Sequence, residues 1–532
     1  MSDSPALTFS STRGRWVLVA TILGSGIAGL TATVVNVALP TIGRDLDTAT
    51  AGLQWILNGY LLPLAALILL GGSLGDRFGR RRVFLIGVVW FAGASALCGL
   101  APNITTLVAA RALQGVGAAL LAPGSLAILQ ASFAPGDRAR AIGAWSGLSG
   151  VATAVGPLLG GYLVEQGSWR WVFLLNLPLA VAVVVIARRH VPESVDPTAT
   201  GEVDMVGGLL GSLGLGGLTY ALIEAPGRGV ASPLVVTAAV MGVVGLVGFI
   251  LAERRGRHPM LPLDIFTSRQ FSGANFMTLA MYAALGGMLF LLATYLQTSL
   301  GYSPIESGLA LMPVTVLMLV LSARAGALAS RIGPRLPMTV GPLVVAAGLA
   351  LMARIQPDTT YVATVLPAAV VFGLGLALTV APLTATVLAA ADERHAGVAS
   401  GVNNAVARVA QLLAVAGLPV LAGITGDDFT DPVAFASGFR TAAFVTAGLA
   451  AVAAAVSWLT ISDYVLLEGS DDRGAPAPAT DEHYHCATEG PPLPGNQGDE
   501  GDGLSLSRTG RCRRHLLRVR ALPSKRWRSH QL

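Results

Sequence analysis

Charge is what this chain has least of. Only 12% of its 532 residues are Asp, Glu, Lys or Arg, against about 25% in an average soluble domain. Lysine is all but missing: Lys525 is the only one, and Arg526 follows it. A phosphate-binding loop needs Gly-Lys-Ser or Gly-Lys-Thr to reach a nucleotide's phosphates, so an ATPase motor of that class is excluded. Three cysteines, Cys98, Cys486 and Cys512, cannot build a disulfide framework. The run His483, His485, Cys486 falls short of the three or four ligands held in geometry that a metal site requires. No metal and no cofactor is expected. Lys plus Arg exceed Asp plus Glu by 35 to 30, a net +5 that does not point to nucleic acid. No nucleophile–base pair or cofactor loop interrupts the apolar segments, so nothing argues for an enzyme.

What the chain does have is apolar length. Hydrophobic residues make up 53% of it and the mean hydropathy is +0.65. A bilayer core about 30 Å thick is crossed by roughly 20 apolar residues in a helix, and runs near that length recur along most of the chain. Their limits are 16–40, 53–74, 83–101, 104–131, 141–164, 169–187, 205–223, 231–252, 271–297, 305–326, 336–354, 361–388, 397–423 and 440–461. The chain is therefore predicted to be an all-α integral membrane protein with fourteen spans. Arg13 and Arg15 precede the first run and no small-residue cleavage site closes it, so it reads as a retained span rather than a signal peptide.

Arginine placement gives the orientation, because loops left in the cytoplasm carry the excess of basic residues. With the N-terminus inside, the outer loops hold only Arg44, Arg170, Arg228, Arg354 and Arg440. The inner segments hold Arg13, Arg15, Arg77, Arg80, Arg81, Arg82, Arg138, Arg140, Arg188, Arg189, Arg254, Arg255, Arg257, Arg269, Arg324, Arg331, Arg335 and Arg394. A miscounted span would have scrambled that asymmetry. Both termini are expected in the cytoplasm, with the lipid bilayer as the surrounding partner. From 468 onward the chain turns acidic and rich in Pro and Gly, then basic at its end, and reads as a disordered cytoplasmic tail. Its basic end suits either anionic lipid or a dispensable extension.

One dense charge cluster interrupts the oil: "GGSLGDRFGRRR", Gly71 to Arg82. A worn copy lies in "GALASRIGPR", where Gly72, Leu74, Arg77, Gly79 and Arg81 align with Gly326, Leu328, Arg331, Gly333 and Arg335. In the copy Asp76 becomes Ser330 and Arg80 becomes Pro334. Such an internal repeat is common in transporters. It implies an N-terminus at 1–15, a six-helix bundle at 16–190, two inserted helices at 203–252 and a second bundle at 271–461.

Four further stretches join the cluster: "LTATVVNVALP" in the first run, "RALQGVGAAL" in the fourth, "GVATAVGPLLGG" in the fifth and "WRWVFLLNLP" in the sixth. In this order they identify residues 16–461 as resembling the major facilitator superfamily, and within it the fourteen-span branch of drug/proton antiporters. The resemblance implies alternating access, protons and a small organic molecule as cargo, and a bacterial cytoplasmic membrane as the location. It makes Gly72, Asp76, Arg77, Gly79, Arg80 and Arg81 a cytoplasmic gate loop, with Asp76 latching the bundle ends in the outward-open state. Gly150, Gly156, Pro157, Gly160 and Gly161 match the helix motif of exporters. Gly156 and Gly160 share one face and allow a close helix approach, which ordinary packing would also use.

Arg111 lies inside an apolar run, where a charge costs at least about 2.5 kcal/mol, with Gln114 one turn along. The resemblance puts both on the proton or substrate path; a snorkelling structural arginine is the other reading. In "GVNNAVARVAQLLAVAG", Asn404, Arg408 and Gln411 fall on one helix face, lining a cavity or bonding a neighbouring helix. The antiporter branch usually carries an Asp after the first Leu of its first-span motif, with an Asn further on. Here Asn36 is kept but Thr31 stands in the acid's place. Glu224 and Glu306 are then the candidates to carry the proton, and two membrane arginines without a central acid favour a neutral or anionic cargo. Two rival functions are an importer of nutrients or metabolites on the same fold and a membrane sensor signalling through the tail.

Overall fold

The computed structural model describes residues 7–196, 203–256, 259–390, 396–425, 428–429 and 431–464. The tail, with His483, His485 and Cys486, lies outside the described residues, as do Arg257 and Arg394. Within them, 14 helices are long and apolar enough to cross a membrane. They are α1 (Thr12–Asp45), α2 (Thr50–Phe78), α3 (Arg80–Gly99), α4 (Ile104–Ser132), α5 (Pro135–Gln166), α6 (Trp171–His190) and α7 (Met205–Arg228). Then follow α8 (Pro233–Arg255), α9 (Arg269–Thr298), α10 (Pro304–Ile332), α11 (Arg335–Met352), α12 (Tyr361–Ala389), α13 (Gly397–Leu421) and α14 (Pro432–Thr460).

In lipid every backbone N–H and C=O must find its partner within the protein, and helices supply that partner locally. Their ends are closed by side chains. Asn103 accepts from the Thr106 N–H at 2.9 Å, and Ser303 and Glu306 form a reciprocal capping box at the start of α10. Gly79, Gly229 and Gly333 end helices at φ of +107°, +85° and +87°, a region that penalises any side chain. Two spans are broken. α6 divides at Leu175 and α10 at Leu311, each three or two residues before a proline. Pro178 and Pro313 lack the N–H that would bond back to Leu174 and Leu309.

Five helix pairs recur with an offset of eight spans: α1–α5 with α9–α13, α2–α4 with α10–α12, α3–α4 with α11–α12, α3–α6 with α11–α14, and α1–α6 with α9–α14. The helices α7 and α8 pack on each other through glycine. A Cβ at Gly217 would stand 2.7 Å from the Gly242 nitrogen, and one at Gly245 the same from the Gly214 nitrogen. Bare backbones meet there as small residues permit. α7 also reaches α2 and α13.

The two sets of six meet unequally across their depth. On α5, the positions 161, 157, 150, 147 and 143 share one face by helical spacing. At its C-terminal end this face is sealed: a Cβ on Gly161 would lie 2.7 Å from Ile305 Cα, and one on Gly308 would lie 2.8 Å from the Pro157 carbonyl carbon. Glu165 accepts from the Ile305 N–H at 3.2 Å, Gln297 donates to the Val37 carbonyl at 2.8 Å, and Gln54 donates to that of Val415 at 2.8 Å. Toward the N-terminal end of α5 the same face is empty, with nothing within 4 Å of a Cβ placed on Gly150, Gly147 or Gly143. The face holding the chain's N-terminus is thus open between the halves on this side, and the opposite face is shut.

Gly161→Leu forces a branched side chain into backbone, and overpacking of that kind costs about 1–3 kcal/mol. We expect a cysteine placed at Gln297, in a background lacking native cysteines, to be labelled faster in this variant. Gly150→Leu leaves the labelling rate unchanged.

Candidate functional site

The deepest polar feature is a chain of hydrogen bonds through five helices. Arg111 on α4 is completely buried. Its Nε donates to the Ile56 carbonyl of α2 at 3.0 Å and its Nη1 to Gln114 Oε1 at 2.6 Å. Gln114 Nε2 donates to Ser95 Oγ on α3 at 2.9 Å. Ser95 also accepts from Asn176 Nδ2 of α6 at 2.9 Å and donates to the Phe173 carbonyl at 2.9 Å. Thr31 of α1 ends the chain by donating to Asn176 Oδ1 at 3.1 Å.

No carboxylate lies on this network. The guanidinium is stabilised instead by the Tyr60 ring, 4.4 Å from its carbon to the centroid, and by Phe173 at 5.9 Å. A desolvated cation–π contact contributes about 2 kcal/mol and each hydrogen bond to a charged group about 1.5–3 kcal/mol. Together they offset the few kcal/mol that a central arginine costs on the insertion scale. Arg111 is therefore held inside the bundle and does not snorkel.

The second set of helices brings its own arginine to the same place. Arg408 of α13 is half-buried and donates from Nη1 to Gln411 Oε1 at 2.9 Å. It stands within Coulombic reach of Tyr282 on α9 and of Tyr60, the residue that stacks on Arg111. Asn404 is exposed, its Nδ2 bonded to its own helix at the Ser400 carbonyl. Its neighbour Asn403 ties α13 to α9, donating to Thr278 Oγ1 at 2.7 Å. Asn36 donates to the Ala32 carbonyl at 3.3 Å, and its buried Oδ1 has no partner.

Glu224 and Glu306 stand apart from the arginines, toward the shut face. Glu224 accepts from Trp55 Nε1 at 2.9 Å and from Arg228 Nε at 2.7 Å. Glu306 is exposed and accepts from the Ser303 N–H at 2.8 Å. In the fifth helix, Gly156 and Gly160 face α1: a Cβ on the first would lie 3.1 Å from Thr33 Cβ and one on the second 3.2 Å from Val34 Cα. Gly161 and Pro157 face α10 instead, and Gly150 faces open space.

At the open face the charge cluster is tied to the segment that follows α6. Asp76 pairs with Arg80 at 2.8 Å, and its carbonyl accepts from the Asp196 N–H at 2.9 Å. The Arg81 N–H, at the start of α3, donates to Glu193 Oε1 at 3.0 Å. The Gly79 position has no room for a Cβ beside that carboxylate. Gly72 sits 3.6 Å, measured from a built Cβ, from Pro123, and the Arg77 guanidinium lies 5.4 Å from the Phe78 centroid. The second copy repeats the plan. Arg335 N–H donates to Asp463 Oδ1 at 3.3 Å, Asp463 crowds Gly333, and Ser330 is exposed. Glu193 and Asp463 each follow the last helix of their set by three residues, and each places an anion at a helix N-terminus, where it is favoured.

Sequence reasoning missed Ser95, Asn176, Tyr60, Glu193 and Asp463. Asn176 lay inside the quoted "WRWVFLLNLP", but Tyr60 and Ser95 carried no signal within their apolar runs. Gln114→Ala strands the Arg111 Nη1 and should lower stability by about 1–3 kcal/mol, read by thermal denaturation in detergent. Gln114→Glu, which keeps the acceptor, should recover most of the loss.

Known proteins share both sequence and architecture with this chain. The puromycin resistance protein pur8 of Streptomyces alboniger is 36% identical over 486 residues, covering 89% of this chain and 96% of that one. The tetracenomycin C resistance and export protein of Streptomyces glaucescens is 38% identical over 426 residues, 79% of each. A peptide transporter mutant crystallised with sulfate superposes with a TM-score of 0.61 at 15% identity, covering 86% of this chain and 98% of that one, which shows the fold alone. The family model described as Major Facilitator Superfamily matches residues 21–415. This chain belongs to that superfamily of multi-pass membrane transporters.

Proposed function

We propose that the protein exports a hydrophobic or amphipathic antibiotic, or a related organic compound, across the bacterial cytoplasmic membrane and so confers resistance. The observation that carries this reading is the near end-to-end similarity to the puromycin resistance protein. The tetracenomycin C exporter supports it, as does the methylenomycin A resistance protein of Bacillus subtilis, 35% identical over 411 residues. With the arginine-rich face in the cytoplasm, the gap beside Gly143, Gly147 and Gly150 opens inward and the Gly161–Ile305 seam shuts the outside. Cargo enters from the cytosol, and closing the gap while parting the seam releases it outward.

We read Asn404, Arg408 and Gln411, exposed or half-buried along α13, as lining this path, and among the described residues no carboxylate pairs with Arg111 or Arg408. That lining suits a neutral or anionic cargo. Proton coupling accords with the antiporter branch. Thr31 occupies one end of the hydrogen-bonded chain to Arg111, so an acid there would have acted on the arginine through its partners; this chain must titrate elsewhere. Asp76, bonded within its own half here, would latch the cytoplasmic ends when they close.

The test is uptake into everted membrane vesicles energised by a pH gradient, with puromycin, tetracenomycin C, methylenomycin A and a lipophilic cation as probes. At least one antibiotic should accumulate, and a protonophore should abolish the signal. Asp76→Asn should cut uptake about tenfold, the scale of losing ~1.4 kcal/mol from one gate state, with membrane level unchanged; Ser330→Ala should not. Failure of the whole panel, with drug sensitivity of the cells also unaltered, would overturn the proposal.

A further inference from the structure

Among the described residues one acidic side chain is buried, and it lies on none of the paths above. Glu253, at the C-terminal end of α8, is 3% exposed. Its Oε2 accepts from the Leu261 N–H at 3.1 Å, on the stretch that leads from α8 into α9. Its Oε1 has no donor. The group beside Oε1 is a second carboxylate, that of Asp204. Asp204 caps α7: its Oδ1 accepts from the Gly207 N–H at 2.7 Å. Its other oxygen is turned toward Glu253, and both crowd the place where Gly207 lacks a Cβ, with Glu253 Oε1 3.0 Å from that point.

Two carboxylate oxygens are both acceptors, so they cannot bond each other when ionised. Burial disfavours the charged form of a carboxylate and a like charge beside it adds to that, so such a pair holds one proton between them. A metal ion fits poorly. After Leu261 and Gly207 have taken one oxygen each, two donors remain, where calcium takes six to eight and zinc four. No group of three or more possible metal-ligating side chains exists among the described residues. Among the described residues, the charges on the flanking stretches do not pair with them. Arg254 and Arg255 on α8 are exposed, and Asp264 on the following stretch bonds the Ile265 N–H.

We propose that Asp204 and Glu253 form a proton-binding site at the junction of the α7–α8 pair with the second set of helices, occupied by one shared proton at neutral pH. Loss of that proton sets two negative charges face to face beside the Leu261 bond. The Leu261 N–H bonds the ionised carboxylate more tightly, fastening the stretch into α9 to α8, so the site couples the pH at the arginine-rich face to the second half. This inference stands apart from the cargo and its direction, since it concerns the proton alone.

The measurement is infrared spectroscopy of the full-length purified protein during a pH titration, with no cargo present. A carbonyl band of a protonated carboxylic acid should be present at neutral pH and vanish under alkaline conditions. Glu253→Gln should lose it. Asp204→Asn, which keeps an oxygen to cap Gly207 but removes the facing charge, should move the disappearance of the band to lower pH. The proposal is overturned if wild type shows no such band at neutral pH. It is also overturned if the band survives Glu253→Gln, if Asp204→Asn leaves its pH dependence unchanged, or if sodium, magnesium or calcium chloride at fixed pH displaces it, which would make the site a cation site.

Discussion

The state of this protein depends on one contact in which two helices from opposite halves touch backbone to backbone. Gly161 on α5 meets Pro304 and Ile305, and Gly308 on α10 meets Pro157 and Leu158. Side chains cannot come this close; only glycine on each side permits it. The same helical face continues through Gly150, Gly147 and Gly143 into open space. A stripe of small residues that closes at one end and gapes at the other is what a rocking pair of rigid bodies needs. Each end can shut without rebuilding the helix, and Pro157 sits where the stripe changes from sealed to free.

The buried arginine has the complementary role. Arg111 joins α4 to α2, α3, α6 and α1 through hydrogen bonds in which Gln114, Ser95, Asn176 and Thr31 each take part. A low-dielectric interior makes such bonds strong and their absence costly, so the first set of helices moves as one body. Rigid halves and a glycine seam between them are two sides of one design: the energy of motion is concentrated at the interface.

Much of the architecture was legible because a bilayer leaves few options. Apolar length and arginine placement alone led to fourteen spans, and the structure has 14. The limits differed in a systematic way: α1 runs from Thr12 to Asp45 and α5 from Pro135 to Gln166, past the apolar runs 16–40 and 141–164. Hydropathy stops at the first charge, whereas a helix continues to its cap. The breaks in α6 and α10 went unread because proline also occurs within unbroken helices here, as Pro40 and Pro63 do. In the site, Arg111 with Gln114 and Arg408 with Gln411 were visible as charges in oil at helical spacing. Ser95 was not, since a serine among apolar residues is ordinary and its partners are distant in sequence. Glu193 and Asp463 were hidden for another reason. They tie down the two arginine-bearing loops from segments more than a hundred residues away, and the worn repeat aligned only the loops themselves. Glu253 follows directly on the apolar run 231–252 and drew no reading, and only the fold buries it against Asp204.

The account rests on the seam and the gap being reciprocal. The most direct measurement is the distance between spin labels across each face, in protein freed of native cysteines and reconstituted in lipid. One pair is placed at Tyr162 and Leu309 beside the seam, the other at Gly147 and Leu328 beside the gap. Adding a transported antibiotic with a pH gradient should lengthen the Tyr162–Leu309 distance and shorten the Gly147–Leu328 distance in the same population. Distances that stay fixed, or that lengthen together, would contradict alternating access through this interface.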